Sequence, residues 1–181
     1  MIIIIGKTAS GKDTIVNKLV KEHNFKKCIT YTTRPMRPNE KQDITYHFIS
    51  DSDFRNKINN DFFAEWKSYK TEFGEWLYGT ALNDLQKESN NTVIILTPDG
   101  YRDIKDKISK NHKSFYIYSD EDTIKERLIL RGDNPNEAQR RIAHDNIDFK
   151  GIENEVYKVI SNNKNTNIND IVNTIISEIN I

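Results

Sequence analysis

Ile2-Ile3-Ile4-Ile5-Gly6-Lys7-Thr8-Ala9-Ser10-Gly11-Lys12-Asp13-Thr14 decides the fold of this chain. The isoleucine run reads as a buried strand, the glycines permit a tight turn, and Ile15, Leu19 and Val20 then recur at helical spacing up to Glu22. A strand, a turn and a helix N-terminus gather free backbone N–H groups and a positive dipole end around one small volume, which suits phosphate. The pattern is a P-loop, G-x-x-x-x-G-K-[ST], with Asp13 where the motif carries a hydroxyl. In such a loop the backbone cradles the inner phosphates of a nucleotide and Lys12 reaches the outer ones. The motif hydroxyl ordinarily ligates Mg²⁺. Here the Asp13 carboxylate takes its place as a hard oxygen ligand, or Thr14 shifts into the role, or the metal is held more weakly.

Composition narrows the classes. At 181 residues the chain is long enough for one core domain with inserted subdomains. Lys plus Arg and Asp plus Glu both number 27, a balance that argues against a general nucleic-acid or acidic-membrane binder. Cys28 is the only cysteine, which permits no intramolecular disulfide and fits a reducing cytoplasm. The apolar Met1 to Ile5 is far shorter than a signal-peptide core, and no later run approaches the roughly 18 apolar residues of a membrane span. His23, His47, His112 and His144 lie far apart without ligand spacing, so a structural metal site is not expected.

Beyond the helix from Asp13 to Glu22, the residues from Lys26 to Thr30 read as a strand. Regular alternation then stops until about Thr80. That stretch holds Pro35, Pro38 and most of the aromatic residues, with strand-like pieces at Thr45 to Phe48 and Phe62 to Ser68 around a helical piece near Ser52 to Ile58. Helices near Ala81 to Lys87 and Tyr101 to Ile108 alternate with strands at Thr92 to Leu96 and Ser114 to Tyr118, which implies a mostly parallel sheet covered on both faces. Asp120 to Leu130 reads as a helix broken by Arg131-Gly132-Asp133, and Glu137 to Phe149 as its successor. Val156 to Ile160 is a last strand, followed by a polar loop and an amphipathic helix from Ile168 to Ile179. The expectation is an α/β P-loop protein with a three-layer α/β/α core (residues 1–31, 81–130 and 150–181), an insertion at 32–80 and a lid at 131–149.

Thr32-Thr33-Arg34-Pro35-Met36-Arg37-Pro38-Asn39-Glu40, followed by Asp43 to Phe48, places two arginines three apart between prolines. The guanidinium fork matches phosphate oxygens, so the pair suits a phosphate clamp, with a solvated basic turn as the bland alternative. Phe63-Ala64-Glu65-Trp66 and Tyr78-Gly79-Thr80 follow. Taken together these motifs resemble the guanylate kinase family, whose T-T-R-x-x-R-x-x-E, D-Y-x-F, F-x-E-W and Y-Y-G-[ST] segments occur in the same order. Thr45 stands where the family's aspartate is expected, Leu77 replaces a tyrosine, and the resemblance runs from Gly6 to about Ile142.

The resemblance implies a kinase that uses ATP and Mg²⁺ to phosphorylate GMP. Gly6, Thr8, Ala9, Ser10, Gly11, Lys12, Asp13, Thr14 and Arg127 would then bind ATP. Arg34, Arg37, Tyr46 and Tyr78 would hold the acceptor phosphate, and Thr30, Glu65, Thr80 and Asp99 the base. Lys12, Arg34, Arg131 and Arg141 would offset charge on the transferring group. Guanine offers an N1–H and an exocyclic amine side by side to a carboxylate such as Glu65, whereas adenine presents an acceptor there. Asp99 has a second reading as a water-mediated Mg²⁺ ligand. Asn162 lies in the loop that the family places beside the ATP adenine, and Arg140 reads equally as a solvated helix residue. A kinase for dGMP or a pyrimidine monophosphate, or a catalytically silent interaction module of the same family, are the rival readings.

Overall fold

The computed structural model describes residues 1–86, 91–108 and 110–179. In chain order the elements begin with β1 (Ile2–Gly6), α1 (Lys12–Glu22), β2 (Lys26–Lys27), β3 (Tyr31–Thr32), β4 (His47–Phe48) and α2 (Asp51–Asn59). Next come β5 (Phe63–Thr71), β6 (Gly74–Ala81), α3 (Leu82–Gln86), β7 (Thr92–Leu96) and α4 (Pro98–Ile104). The chain closes with β8 (Lys113–Tyr118), α5 (Glu121–Arg131), α6 (Pro135–Asp148), β9 (Lys158–Ser161) and α7 (Ile168–Ile179). It divides into two compact units, one of Met1–Lys27, Asn90–Asp99 and Asn111–Ile181, the other of Cys28–Ser89 and Gly100–Lys110.

The first unit is built on a parallel sheet of order β2-β7-β1-β8-β9. β1 is central, pairing Ile3 with Ile94 on one side and with Ser114 on the other. Every residue of β1 is buried, which is why it reads as an unbroken isoleucine run rather than an alternating one. Ile2 and Ile4 pack with Ile15, Val16 and Leu19 of α1 and Ile171, Val172 and Ile175 of α7. Burying each such side chain contributes about 1.5–3 kcal/mol. The inward face of α1 uses Val16 where the sequence pointed to Val20, which is 37 % exposed. Val20 lies five residues after Ile15, about 140° around the helix, and so falls off the stripe.

The second unit holds a four-stranded sheet of order β4-β3-β6-β5. Its backbone is the β5–β6 hairpin, with Thr71 paired to Gly74 across the turn. Phe54 of α2 is fully buried and stacks on Phe63, with ring centroids 4.4 Å apart. Gly79 makes room for that stack, because a Cβ there would meet Phe63 at 2.9 Å and Phe54 at 3.0 Å.

Several boundaries differ from the sequence expectation. The strand expected at Lys26 to Thr30 is β2, two residues long, and the chain leaves the first sheet at Cys28. β6 was not foreseen at all. α4 starts at Pro98, three residues early, since proline fits the first helical position. α6 starts at Pro135 for the same reason, behind Asn134, whose side chain accepts from the N–H groups of Asn136 and Glu137. The expected helix end at Lys87 lies outside the described residues. No helix among the described residues is long and apolar enough to cross a membrane.

Candidate active site

The loop between β1 and α1 is shaped by two residues in the left-handed region, Ala9 at φ 53° and Gly11 at φ 92°. Such alternation turns successive backbone N–H groups into an anion-binding concavity. Gly6 is required at the strand end, because a Cβ there would lie 2.5 Å from Ser10 Oγ and 2.9 Å from the Ile117 carbonyl. Lys12 folds back over the loop and donates from Nζ to the Lys7 carbonyl at 2.7 Å. Burial pushes its pKa below the ordinary lysine value, Asp13 and Asp145 pull it up, and Arg131 pushes it down. Asp13 and Thr14 are both exposed in the first turn of α1.

A carboxylate already lies on this loop. Asp145 of α6 accepts the Thr8 N–H at 2.6 Å, and its neighbour Asn146 accepts from Lys7 Nζ at 2.6 Å. Burial raises the Asp145 pKa, against the opposing pull of the Thr8 N–H and Lys12. Lys7, Thr8, Asp145 and Asn146 line a cavity of about 160 Å³ together with Tyr118, Ser119 and Glu121.

The remaining arginines of the first unit fall into two groups. Arg131 is held by Asp133 through Nε at 2.5 Å and Nη2 at 2.6 Å, and Arg141 reaches the same carboxylate at 3.3 Å. Arg141 and Arg140 both donate to the buried Glu137. Asp133 thereby brings the two expected lid arginines onto one carboxylate. Arg127 behaves differently: its guanidinium donates to the carbonyls of Ala9 and Asn162 and to Ser119 Oγ.

In the second unit, the Thr32-Thr33 pair of the arginine segment fixes the backbone. Thr33 exchanges backbone and side-chain bonds with Leu77 on β6, and Thr32 Oγ1 accepts the Arg34 N–H at 3.1 Å. Arg34 is 5 % exposed and forms a bidentate pair with Glu40 at 2.9 and 2.7 Å. Its guanidinium carbon stands 5.5 Å from the Tyr46 ring centroid, and Tyr46 meets Tyr78 edge-on at 6.1 Å. Burial alone would raise the Glu40 pKa, but Arg34 and the Arg37 N–H hold it below the usual carboxylate range. Arg37 itself is exposed.

Glu65 and Thr80 face each other across β5 and β6, and Thr80 Oγ1 donates to Glu65 Oε1 at 2.6 Å. The pairing depends on an irregularity between Phe63 and Glu65, which shifts the register by one residue. Without it Glu65 would oppose Gly79. Burial raises the Glu65 pKa more than the Thr80 hydroxyl lowers it. Thr30 contributes its carbonyl to the His47 N–H at 2.9 Å. Asp99 is exposed in the first turn of α4 and belongs to the first unit, whereas Thr30, Glu65 and Thr80 belong to the second.

Sequence reasoning quoted Glu40 as the last residue of the arginine motif but gave it no role, and it missed Asp133 and Asp145. Those two had no signal, since each reads as an ordinary acid of a polar segment.

The described geometry has recognisable relatives. A family model described as guanylate kinase matches residues 1–179. A guanylate kinase of Helicobacter hepaticus is 31% identical over 172 residues, covering 92% of this chain and 84% of the relative. One of Bacteroides fragilis is 34% identical over 149 residues, covering 79% and 72%. Among solved structures, guanylate kinase from Anaplasma phagocytophilum superposes with a TM-score of 0.71 over 99% of this chain and 84% of that one, at 18% identity.

Proposed function

Because this chain belongs to the guanylate kinase family, and is thereby a nucleoside monophosphate kinase, we propose that it transfers the γ-phosphoryl group of ATP to GMP. An oxygen of the GMP phosphate forms the new P–O bond as the bond from the γ-phosphorus to the β,γ-bridging oxygen breaks. ADP leaves, and GDP is the second product.

The observation that carries the choice of GMP is the Glu65–Thr80 pair. A carboxylate whose pKa is raised by burial is under-supplied with donors. The guanine edge supplies two, at N1 and the exocyclic amine, whereas adenine would set a lone pair against it. Arg34, already fixed by Glu40 and flanked by Tyr46, is the acceptor-phosphate anchor, with Arg37 and Tyr78 beside it in the assignment.

On the donor side the backbone of Thr8 to Thr14 holds phosphate, and Lys12, Arg131 and Arg141 supply positive charge to the oxygens of the transferring group. Catalysis here is positioning and electrostatics, and needs no covalent intermediate. Among the described residues no group of three or more His, Cys, Asp or Glu could hold a metal ion. Mg²⁺ typically takes one or two carboxylates beside nucleotide phosphates and waters, and the exposed Asp13 offers such an oxygen. The donor set therefore fits Mg²⁺, which when bound would neutralise charge on the donor phosphates.

Turnover compared across GMP, dGMP, AMP, CMP and dTMP tests the substrate. The expected order has the guanine nucleotides first. Preference for any other base overturns the reading of Glu65, and no turnover with any of them overturns the kinase.

A further inference from the structure

We propose that Arg127 and Asn162 are positioning residues for the donor phosphates, acting on the P-loop backbone from behind rather than on the nucleotide. The inference rests on the donor-site reading above and concerns how the loop keeps its shape.

Asn162 directly follows β9 and is 2 % exposed. Its Nδ2 donates to the Ser10 carbonyl at 2.7 Å, across 152 residues of sequence. A trans peptide is planar, with its C=O and N–H pointing opposite ways, and there is no cis peptide among the described residues. Fixing the Ser10 carbonyl toward Asn162 therefore turns the Gly11 N–H to the other side, away from Asn162. Gly11 is also the only residue that fits there. Its φ is +92°, and a Cβ would stand 2.5 Å from Asn162 Nδ2.

Arg127 holds the preceding peptide. Its Nη1 donates to the Ala9 carbonyl at 3.2 Å, while the N–H on the same peptide unit, that of Ser10, closes a turn onto the Lys7 carbonyl at 3.2 Å. Ala9 sits at φ 53°, a conformation unfavourable for a non-glycine residue that persists only when its surroundings impose it. Arg127 supplies that imposition.

The brace is itself anchored to the sheet. Arg127 Nη2 donates to the Asn162 carbonyl at 3.0 Å and Nη1 to Ser119 Oγ at 3.2 Å. Ser119 Oγ donates to the Asn162 carbonyl at 2.7 Å, and the Asn162 N–H to the Tyr118 carbonyl at 2.7 Å. The ends of β8 and β9 thus carry the strain of the loop. A cradle held in this way binds phosphate without reorganising, which is what preorganised donors require.

Asn162→Asp keeps the side-chain shape and the acceptor but removes the donor to Ser10. Arg127→Lys keeps the charge but cannot span the two carbonyls and the hydroxyl. Calorimetry with Mg·ADP and, separately, with GMP is run on the wild-type chain and both variants, alongside thermal melts. The expected result is Mg·ADP binding weakened at least tenfold in both variants, with GMP binding within twofold of wild type. The double variant should lose less than the product of the single losses, because the two side chains hold one segment. Mg·ADP affinities within twofold of wild type overturn the inference, and so does parallel loss of Mg·ADP and GMP binding with a lowered melting point. A wild-type chain that binds no Mg·ADP overturns the donor-site reading, and this inference with it.

Discussion

Asp145 Oδ2 lies 2.6 Å from the backbone nitrogen of Thr8, so a carboxylate of α6 occupies an N–H of the loop that the proposed function gives to donor phosphate. Two anions cannot share that donor. ATP must displace Asp145, or bind against its charge.

Asp145→Asn is therefore expected to tighten Mg·ATP binding several-fold at neutral pH. Burial raises the Asp145 pKa, so the folded state holds its proton more firmly than the unfolded state does. Ionisation then destabilises the fold as pH rises from the ordinary aspartate range through the elevated value, and that penalty is fully present above it. Asp145→Asn should consequently melt at or above the wild-type temperature at pH 7, with the difference closing near pH 4. Weaker Mg·ATP binding in the variant would give Asp145 a supporting role in place of a competing one.

Glu65→Gln tests the base reading. One carboxylate bond to guanine is replaced by an amide that presents a donor to a donor, so kcat/KM for GMP should fall about 10- to 100-fold, the range set by hydrogen bonds to charged groups. Affinity for Mg·ADP should not change. The Glu65 pKa is raised like that of Asp145, so its ionisation also opposes folding above the elevated value. Glu65→Gln should thus be no less stable than wild type at pH 7. An unchanged GMP profile would remove Glu65 from the site.

Glu40 works in the opposite sense. Its pKa is held down by Arg34 and the Arg37 N–H, so its contribution to stability is present at neutral pH and is lost as pH falls from the ordinary glutamate range through the depressed value. Glu40→Ala leaves the Arg34 guanidinium without its bidentate partner. The expected outcome is a KM for GMP raised about tenfold, with the KM for ATP unchanged. Steady-state titration of each substrate at fixed saturation of the other reads the split.

Asp13→Ser restores the hydroxyl that the P-loop pattern carries. Activity should be retained while the Mg²⁺ concentration for half-maximal rate shifts, measured by metal titration at saturating nucleotide. Complete loss of activity would assign the carboxylate a duty beyond metal binding.

The first unit was legible where chemistry is local. Ile2 to Ile5 are buried on both faces of a central strand, and the loop and α1 follow within a few residues, so one stretch of sequence carried strand, turn and helix. β6 was not legible, because Gly74-Glu75-Trp76-Leu77-Tyr78-Gly79-Thr80-Ala81 has two glycines and no clean alternation. It is a strand by virtue of its partners, β5 on one side and β3 on the other. The same limit applied to the site. Arg34 stood out by its spacing from Arg37, while Tyr46, Glu65 and Thr80 could be named only through the family resemblance; in the second unit Arg34 meets Tyr46, and Glu65 meets Thr80. Asp145 could not be named, since its contact with Thr8 spans 137 residues and exists only once α6 has docked. The family resemblance offered Arg127 only as an ATP residue, and its hydrogen bonds to backbone carbonyls and Ser119 became visible only in the folded chain.

The central claim is tested most directly by following isotope from γ-labelled ATP in the presence of GMP and Mg²⁺, with wild-type chain and Lys12→Ala side by side. The account predicts labelled GDP from the wild type, formed at least a hundredfold more slowly by the variant. Label appearing only as inorganic phosphate, or labelled GDP formed equally by both proteins, would contradict it.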